Sequence, residues 1–190
     1  MKKRAVFLDL QGTLGGKGDG DVRDFSFYPY AIDAIKLLNE SGILAIVLTN
    51  QSHIAKGHLT YPYYEKRVNE ITQELKNSGA YVDGIYCCPH ASEDNCSCKK
   101  PLHGLVRQAE ADFDIDVQDS FIIGDMGISD MALANNVGAR GILVKTGLGI
   151  GSLTTYRHTW DDIEPYLVSE NVLDAVEHIL TLGGWPPTSL

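Results

Sequence analysis

The sequence predicts an α/β fold, a parallel sheet with helices on both faces. Three observations carry this expectation. Short apolar runs alternate with stretches of helical periodicity, the pattern of strand–helix–strand units. Polar residues able to do chemistry stand directly after those runs, namely Asp9, Thr49 with Asn50, and Asp125. Parallel strands all point one way, so these residues share one rim, where open α/β sheets place their ligands. Finally, 190 residues with 44% apolar and 22% charged content suit one ordinary globular domain spanning 1–190.

Taken in order, residues 5–10 read as a buried strand bounded by charge and glycine. It delivers Asp9 to a turn at Gly12, although a simple capping Asp would suit this octapeptide taken alone. Residues 14–27, with Gly15, Gly16, Gly18, Gly20, Asp19, Asp21 and Asp24, read as a polar loop and mobile flap. A plain solvated loop is the alternative; no Gly-Lys-Ser/Thr follows, so it is not a phosphate-binding P-loop. Pro29 suits a helix first turn, and Ile32, Ile35 and Leu38 recur at helical spacing until Gly42. Residues 43–48 form a second strand ending in Thr49-Asn50-Gln51-Ser52, and 52–60 a loop. Tyr64, Val68, Ile71 and Leu75 mark a helix that stops near Gly79. Ile85-Tyr86 is a short strand, about 102–110 a helix, and 121–123 a strand ending at Gly124-Asp125. A helix over about 129–136 and a strand over 141–144 follow. Residues 146–168 read as irregular, with Gly147, Gly149 and Gly151 as loop glycines. Val172, Val176 and Ile179 give a closing helix, and Gly183-Gly184-Trp185-Pro186-Pro187 a loose tail.

Sixteen basic against twenty-five acidic residues give a net charge of −9, which argues against a nucleic-acid surface. An acidic chain that handles an anionic substrate needs a local cation, either lysine or metal. Met1-Lys2-Lys3-Arg4 imitates the start of a signal peptide, but the apolar run after it breaks at Asp9. No stretch has the length to span a membrane. The expectation is a cytoplasmic, monomeric enzyme or binding protein whose partner is a small molecule.

Asp9 and Asp125, with Asp130 nearby, form a hard-oxygen set of the kind that holds Mg²⁺. Thr13, Thr49, Asn50 and Gln51 supply neutral polar groups for a phosphoryl group, and Lys100 a point charge. A carboxylate nucleophile, a divalent cation and a lysine together describe phosphoryl transfer through an aspartyl-phosphate.

These residues also carry a family resemblance. Asp9-x-x-Gly12-Thr13, Thr49-Asn50-Gln51, Lys100-Pro101 and Gly124-Asp125…Asp130 resemble the four motifs of the haloacid-dehalogenase-like (HAD) phosphohydrolases, in order and at compatible spacing. Asn50-Gln51-Ser52, Ile54-Ala55-Lys56-Gly57, Cys88-Pro89-His90, Cys96-Ser97-Cys98 and Lys99-Lys100-Pro101 resemble the branch of heptose-1,7-bisphosphate phosphatases and histidinol-phosphatases. The likeness runs from about residue 4 to 182. It implies a three-layer, Rossmann-like HAD fold with a small flap and no large cap domain. It implies a phosphatase of carbohydrate metabolism acting on a small phosphorylated metabolite, with heptose bisphosphate as one guess. Asp9 would be nucleophile and Mg²⁺ ligand beside the residue 11 carbonyl, with Asp125 a further ligand and Asp130 a support. The gap from Asp125 to Asp130 is one residue longer than the commonest spacing. Thr49, Asn50 and Lys100 would hold the phosphate. Lys99 stands where the heptose phosphatases have Arg; it would touch a second phosphate without the bidentate fork of Arg.

All four cysteines, Cys87, Cys88, Cys96 and Cys98, lie within twelve residues together with His90. A disulfide framework would spread them along the chain. Cys88, His90, Cys96 and Cys98 supply a complete tetrahedral set for a structural Zn²⁺, pinning a loop at about 87–100. Four unbound, reduced side chains are the alternative. Cys87 is left to pack as a small apolar residue. His53 and His58 flank the site loop, as substrate contacts or as solvated loop residues, and His103 and His178 fall on helices.

Position 11 departs from the pattern. In the family it is an Asp that acts as general acid and base; here it is Gln11, whose amide cannot transfer a proton. Two functions remain open at this stage. One is a Mg²⁺-dependent phosphatase of reduced turnover, and the other a protein that binds a phosphorylated ligand on a disabled phosphatase scaffold.

Overall fold

The computed structural model describes residues 2–18 and 21–182. Six strands form one sheet: β1 (Ala5–Leu8), β2 (Leu44–Asn50), β3 (Gly84–Cys88), β4 (Phe121–Gly124), β5 (Arg140–Val144) and β6 (Leu167–Ser169). Their spatial order is β3-β2-β1-β4-β5-β6, and every pairing is parallel. The helices are α1 (Ala31–Glu40), α2 (Tyr61–Asn77), α3 (Gly104–Phe113), α4 (Ala132–Val137), α5 (Gly149–Leu153) and α6 (Val172–Thr181).

The side-chain alternation of a strand builds the two cores. Val6 and Leu8 of β1 join Ala45, Val47, Phe121, Ile123, Ile142 and Val144 on one face, under α1, α2 and α6. Ala5 and Phe7 point the other way and pack with Ile46, Leu48 and Ile122 against α3 and α4. The central strands are therefore apolar on both sides, which explains their near-continuous hydrophobic runs. No described helix is long and apolar enough to cross a membrane.

The chain leaves β1 toward β2 and β3, and only later fills the other side with β4, β5 and β6. The order thus reverses between β1 and β4, and such a switch point opens a crevice at the strands' carboxyl ends. Asp9 and Asp125 flank that crevice.

Several expectations need correction. β1 ends at Leu8, so residues 9 and 10 belong to the turn. Pro29 precedes α1, which starts at Ala31, and His103 precedes α3. Residues 146–168 are not irregular: they hold α5, a 3₁₀ turn at Arg157–Thr159 and the start of β6. Five-residue and three-residue elements are too short to leave a periodicity. The flap is strapped down through Leu14, Val22 and Phe25, all buried in the larger core. Its Asp19 and Gly20, like the 183–187 tail, lie outside the described residues.

One hydroxyl ties the starts of β1 and β4 together. Ser120, fully buried, accepts the Ala5 N–H at 3.1 Å and donates to the Asp116 carbonyl at 2.6 Å. Ser120→Ala leaves that buried amide unpaired, so urea denaturation should register a loss of about 1–3 kcal/mol. An unchanged midpoint would mean the amide finds another partner.

Candidate active site

Four charged side chains meet at the crevice. Lys100 Nζ donates to Asp9 Oδ1 at 2.6 Å and to Asp130 Oδ1 at 2.7 Å, with the ammonium and Asp130 almost wholly buried. Asp130 Oδ2 also accepts the Met126 N–H at 3.0 Å. The five-residue step from Asp125 to Asp130 is absorbed by a π-helical turn at Gly127–Met131. Its i→i+5 geometry takes one residue more than an α turn, which returns Asp130 to the rim.

Asp125 is 1% exposed. Its Oδ2 accepts the Leu148 N–H at 2.7 Å, whereas Oδ1 has no hydrogen-bond partner. Gly12 (φ +88°) and Gly147 (φ +56°) crowd against this carboxylate, and a Cβ at either would strike Oδ2. Oxygens of Asp9, Asp125 and Asp130 lie within 4.8 Å of one another. Three carboxylates against one ammonium leave an excess of negative charge in a dry site. Burial, with the Asp130 charge and against Lys100, pushes the Asp9 carboxyl up to about 6. Burial, then Asp9 and Asp130, push Asp125 up to about 8. Burial works against the Lys100 ammonium, but Asp130 and Asp9 outweigh it and hold the charge firmly. The bare Oδ1 and the crowded carboxylates fit a hard divalent cation such as Mg²⁺.

The polar residues after β2 divide their work. Asn50 clamps the Lys100 backbone, accepting its N–H at 3.0 Å and donating to its carbonyl at 3.2 Å. Gln51 Nε2 donates to Thr49 Oγ1 at 2.8 Å and to Gln11 Oε1 at 2.7 Å. Both N–H bonds of the Gln51 amide are thereby used, and the Gln11 oxygen is turned toward Gln51. Thr13 is fully buried, and its hydroxyl has no partner, an unusual cost unless a ligand meets it. Lys99 Nζ donates to the His90 carbonyl at 3.3 Å.

Cys88, His90, Cys96 and Cys98 come together as the spacing suggests, their donor atoms within 4.8 Å of one another. Cys98 Sγ lies 3.0 Å and Cys96 Sγ 3.6 Å from Cys88 Sγ, too far for a disulfide. His90 Nδ1 is 3.2 Å from Cys98 Sγ and 3.6 Å from Cys88 Sγ. Three thiols and an imidazole gathered this closely are a candidate ligand set for one tetrahedral ion. The cluster joins the crevice directly, because Cys88 pairs with Asn50 across β2 and β3 and its carbonyl accepts the Gln51 N–H at 2.7 Å. Cys87 packs against the larger core. His53 lies 3.2 Å from Asp21 Oδ2, so it links the flap to the 52–60 loop.

Sequence reasoning missed the segment after β5. Leu148 contributes a backbone N–H, which no residue type advertises, and Thr146 donates to the Gly12 carbonyl at 2.6 Å. The only hint was a glycine-rich stretch directly following an apolar strand.

A parallel α/β sheet with carboxylates and a lysine at its switch point fits the HAD-like class of hydrolases. The chain belongs to that family, in the branch of the D-glycero-D-manno-heptose-1,7-bisphosphate 7-phosphatases. Residues 97–175 match the family described as HAD-hydrolase-like. The chain is 36% identical to the D-glycero-beta-D-manno-heptose-1,7-bisphosphate 7-phosphatase of Yersinia pestis, over 75% of this chain and 81% of that protein. It is 34% identical to the enzyme of the same name from Escherichia coli K12, over 75% and 80% of the two chains. Among solved structures, the D,D-heptose 1,7-bisphosphate phosphatase from B. bronchiseptica, complexed with magnesium and phosphate, superposes with a TM-score of 0.84. That alignment covers 93% of this chain and 98% of the other at 26% identity.

Protons and a cation compete for the same oxygens. Without metal, the native state holds protons on Asp9 to about pH 6 and on Asp125 to about pH 8, against an ordinary 3.8. The native state then binds more protons than the unfolded chain from about pH 4 to 8, so metal-free stability falls as pH rises through that window. A bound cation must displace those protons. The gain in melting temperature on adding Mg²⁺ should therefore be larger at pH 8 than at pH 6 in scanning fluorimetry. Equal gains would contradict the raised carboxylates.

Proposed function

We propose that this chain is one HAD-like domain over residues 1–190 that hydrolyses a phosphate ester of a small phosphorylated sugar in a Mg²⁺-dependent reaction. The observation that carries the reading is the Asp9 carboxylate at the switch point, bonded to a buried lysine and faced by a bare Asp125 oxygen. The relatives' names favour a sugar bisphosphate.

Asp9 is the nucleophile. Its oxygen attacks phosphorus, the phosphorus–leaving-group bond breaks, and a phosphoryl group remains on Asp9 until water displaces it. Asp9, the Gln11 backbone carbonyl, Asp125 and Asp130 would hold Mg²⁺, which when bound would supply Lewis-acid neutralisation of phosphate charge. Lys100, held by Asn50 and Asp130, meets the phosphate from the other side. Thr13 and Thr49 offer hydroxyls, and Gln51 orients Thr49 and Gln11. Lys99 lies beside the Cys/His loop, placed to meet a second anionic group of the substrate.

Gln11 sets the rate. General acid–base help is typically worth about 10²–10⁴-fold, or roughly 3–5 kcal/mol. An amide supplies none of it, so departure of a basic alkoxide and attack by water both slow. The engagement of Gln11 by Gln51 favours a second reading, in which the site mainly binds its phosphorylated ligand.

Gln11→Asp should raise phosphate release from alkyl phosphates at least about tenfold, and from aryl or acyl phosphates by much less, because their leaving groups need little protonation. Equal gains would refute the assignment of position 11. If neither form turns over any ester while a sugar phosphate binds, the binding reading holds instead. Cys88, His90, Cys96 and Cys98 should retain about one Zn²⁺ per chain through a chelator wash, read by elemental analysis. Less than about half an equivalent would rule out a closed structural site.

A further inference from the structure

We propose that Ser152 and Trp160 are positioning residues for Asp125, fixing which of its oxygens faces the divalent cation. The inference rests on the reading of Asp125 as a cation ligand. Neither residue reaches the crevice; both act through the segment that grips Asp125 from behind.

The grip has three parts. The Leu148 N–H holds Asp125 Oδ2 at 2.7 Å and leaves Oδ1 bare. Ser152 Oγ donates to the Asp125 backbone carbonyl at 2.9 Å and accepts the Gly127 N–H at 3.3 Å. One hydroxyl thus brackets Met126 and fixes the entry into the π-helical turn that returns Asp130. The Ser152 N–H in turn bonds the Leu148 carbonyl at 2.8 Å, so the donors to the Asp125 carboxylate and carbonyl sit on one rigid piece.

Trp160 locks that piece. Its Nε1–H donates to the Ser152 carbonyl at 3.0 Å, and its ring lies so close to Gly127 that a Cβ there would collide with the indole. Arg157 covers the ring, its guanidinium carbon 4.1 Å from the centroid. Asp125, Ser152 and Trp160 are 1%, 4% and 2% exposed, so these bonds lie away from bulk water. A carboxylate free to rotate could offer a cation either oxygen or both. This arrangement offers Oδ1 alone, in one orientation.

Outer partners of metal ligands typically change metal affinity by about 10–100-fold when removed. The test is calorimetric titration of Mg²⁺ into the full chain and into Ser152→Ala, Trp160→Phe and Asp125→Asn, with melting temperatures alongside. Asp125→Asn should lose Mg²⁺ binding. Ser152→Ala should bind about tenfold more weakly, and Trp160→Phe, which keeps a ring but no N–H donor, should weaken by a smaller factor. In assays with a phosphate ester, the Mg²⁺ activation constant should rise while kcat at saturating Mg²⁺ is retained. A merely structural role would lower the melting temperature and leave the Kd of folded protein unchanged. A Kd for Ser152→Ala within about twofold of wild type, with Asp125→Asn inactive in binding, overturns this proposal alone. If Ser152→Ala does not fold, Trp160→Phe decides, and an unchanged Kd there overturns it. Unimpaired binding by Asp125→Asn overturns the cation reading and this proposal with it.

Discussion

A single buried ammonium, that of Lys100, holds the crevice together. It bonds Asp9 on the first strand's turn and Asp130 on the π-helical turn, segments far apart in the chain. Desolvating such a group is expensive, and removing one partner of a buried ion pair typically costs about 3–5 kcal/mol. The surrounding structure is arranged to keep the pairs intact. Asn50 fixes the lysine backbone, and Cys88, next to Asn50 in the sheet, ties that clamp to the Cys/His cluster. The lysine does not balance three carboxylates by itself. Burial, with the neighbouring carboxylates and against Lys100, raises Asp9 and Asp125, and the three carboxylates together are a candidate cation site.

The same site shows how a scaffold and its chemistry can part company. A lysine, three carboxylates and buried hydroxyls converge in an arrangement that suits the proposed phosphoryl transfer. In that proposal, what changes is the proton-transfer group at position 11. Gln11 keeps a backbone carbonyl at the position and a side-chain oxygen that accepts from Gln51. It withdraws only an ionisable proton. Stability and cation binding depend on shape and charge, and turnover of a poor leaving group depends on a proton, so the two need not vary together.

Much of this was legible in the sequence. Apolar runs located the five longer strands; the central ones, buried on both faces, have to be apolar throughout. Asp9, Thr49, Asn50 and Asp125 were recognisable because they are polar residues at the carboxyl ends of such runs, the rim of a parallel sheet. The Cys/His cluster was legible because thiols and imidazole have few other reasons to crowd into twelve residues. By contrast, α5 and β6 were invisible, each being too short for a period to register, and the flap's anchoring by Val22 and Phe25 was hidden among glycines and aspartates. Hidden too was the clamp of the Asn50 amide on the Lys100 backbone, which joins residues far apart in the chain.

The sequence by itself determined the fold class, the polar residues at the strand ends and the absence of a titratable group at position 11, since residue type and periodicity are local properties. Only the tertiary structure decided how those groups are paired. That Lys100 sits between Asp9 and Asp130, that a π-helical turn absorbs the longer Asp125–Asp130 step, and that Leu148, Ser152 and Trp160 brace Asp125 all depend on contacts between distant segments. Backbone N–H and carbonyl groups, identical at nearly every residue, supply much of that bracing, so no side-chain pattern could announce it.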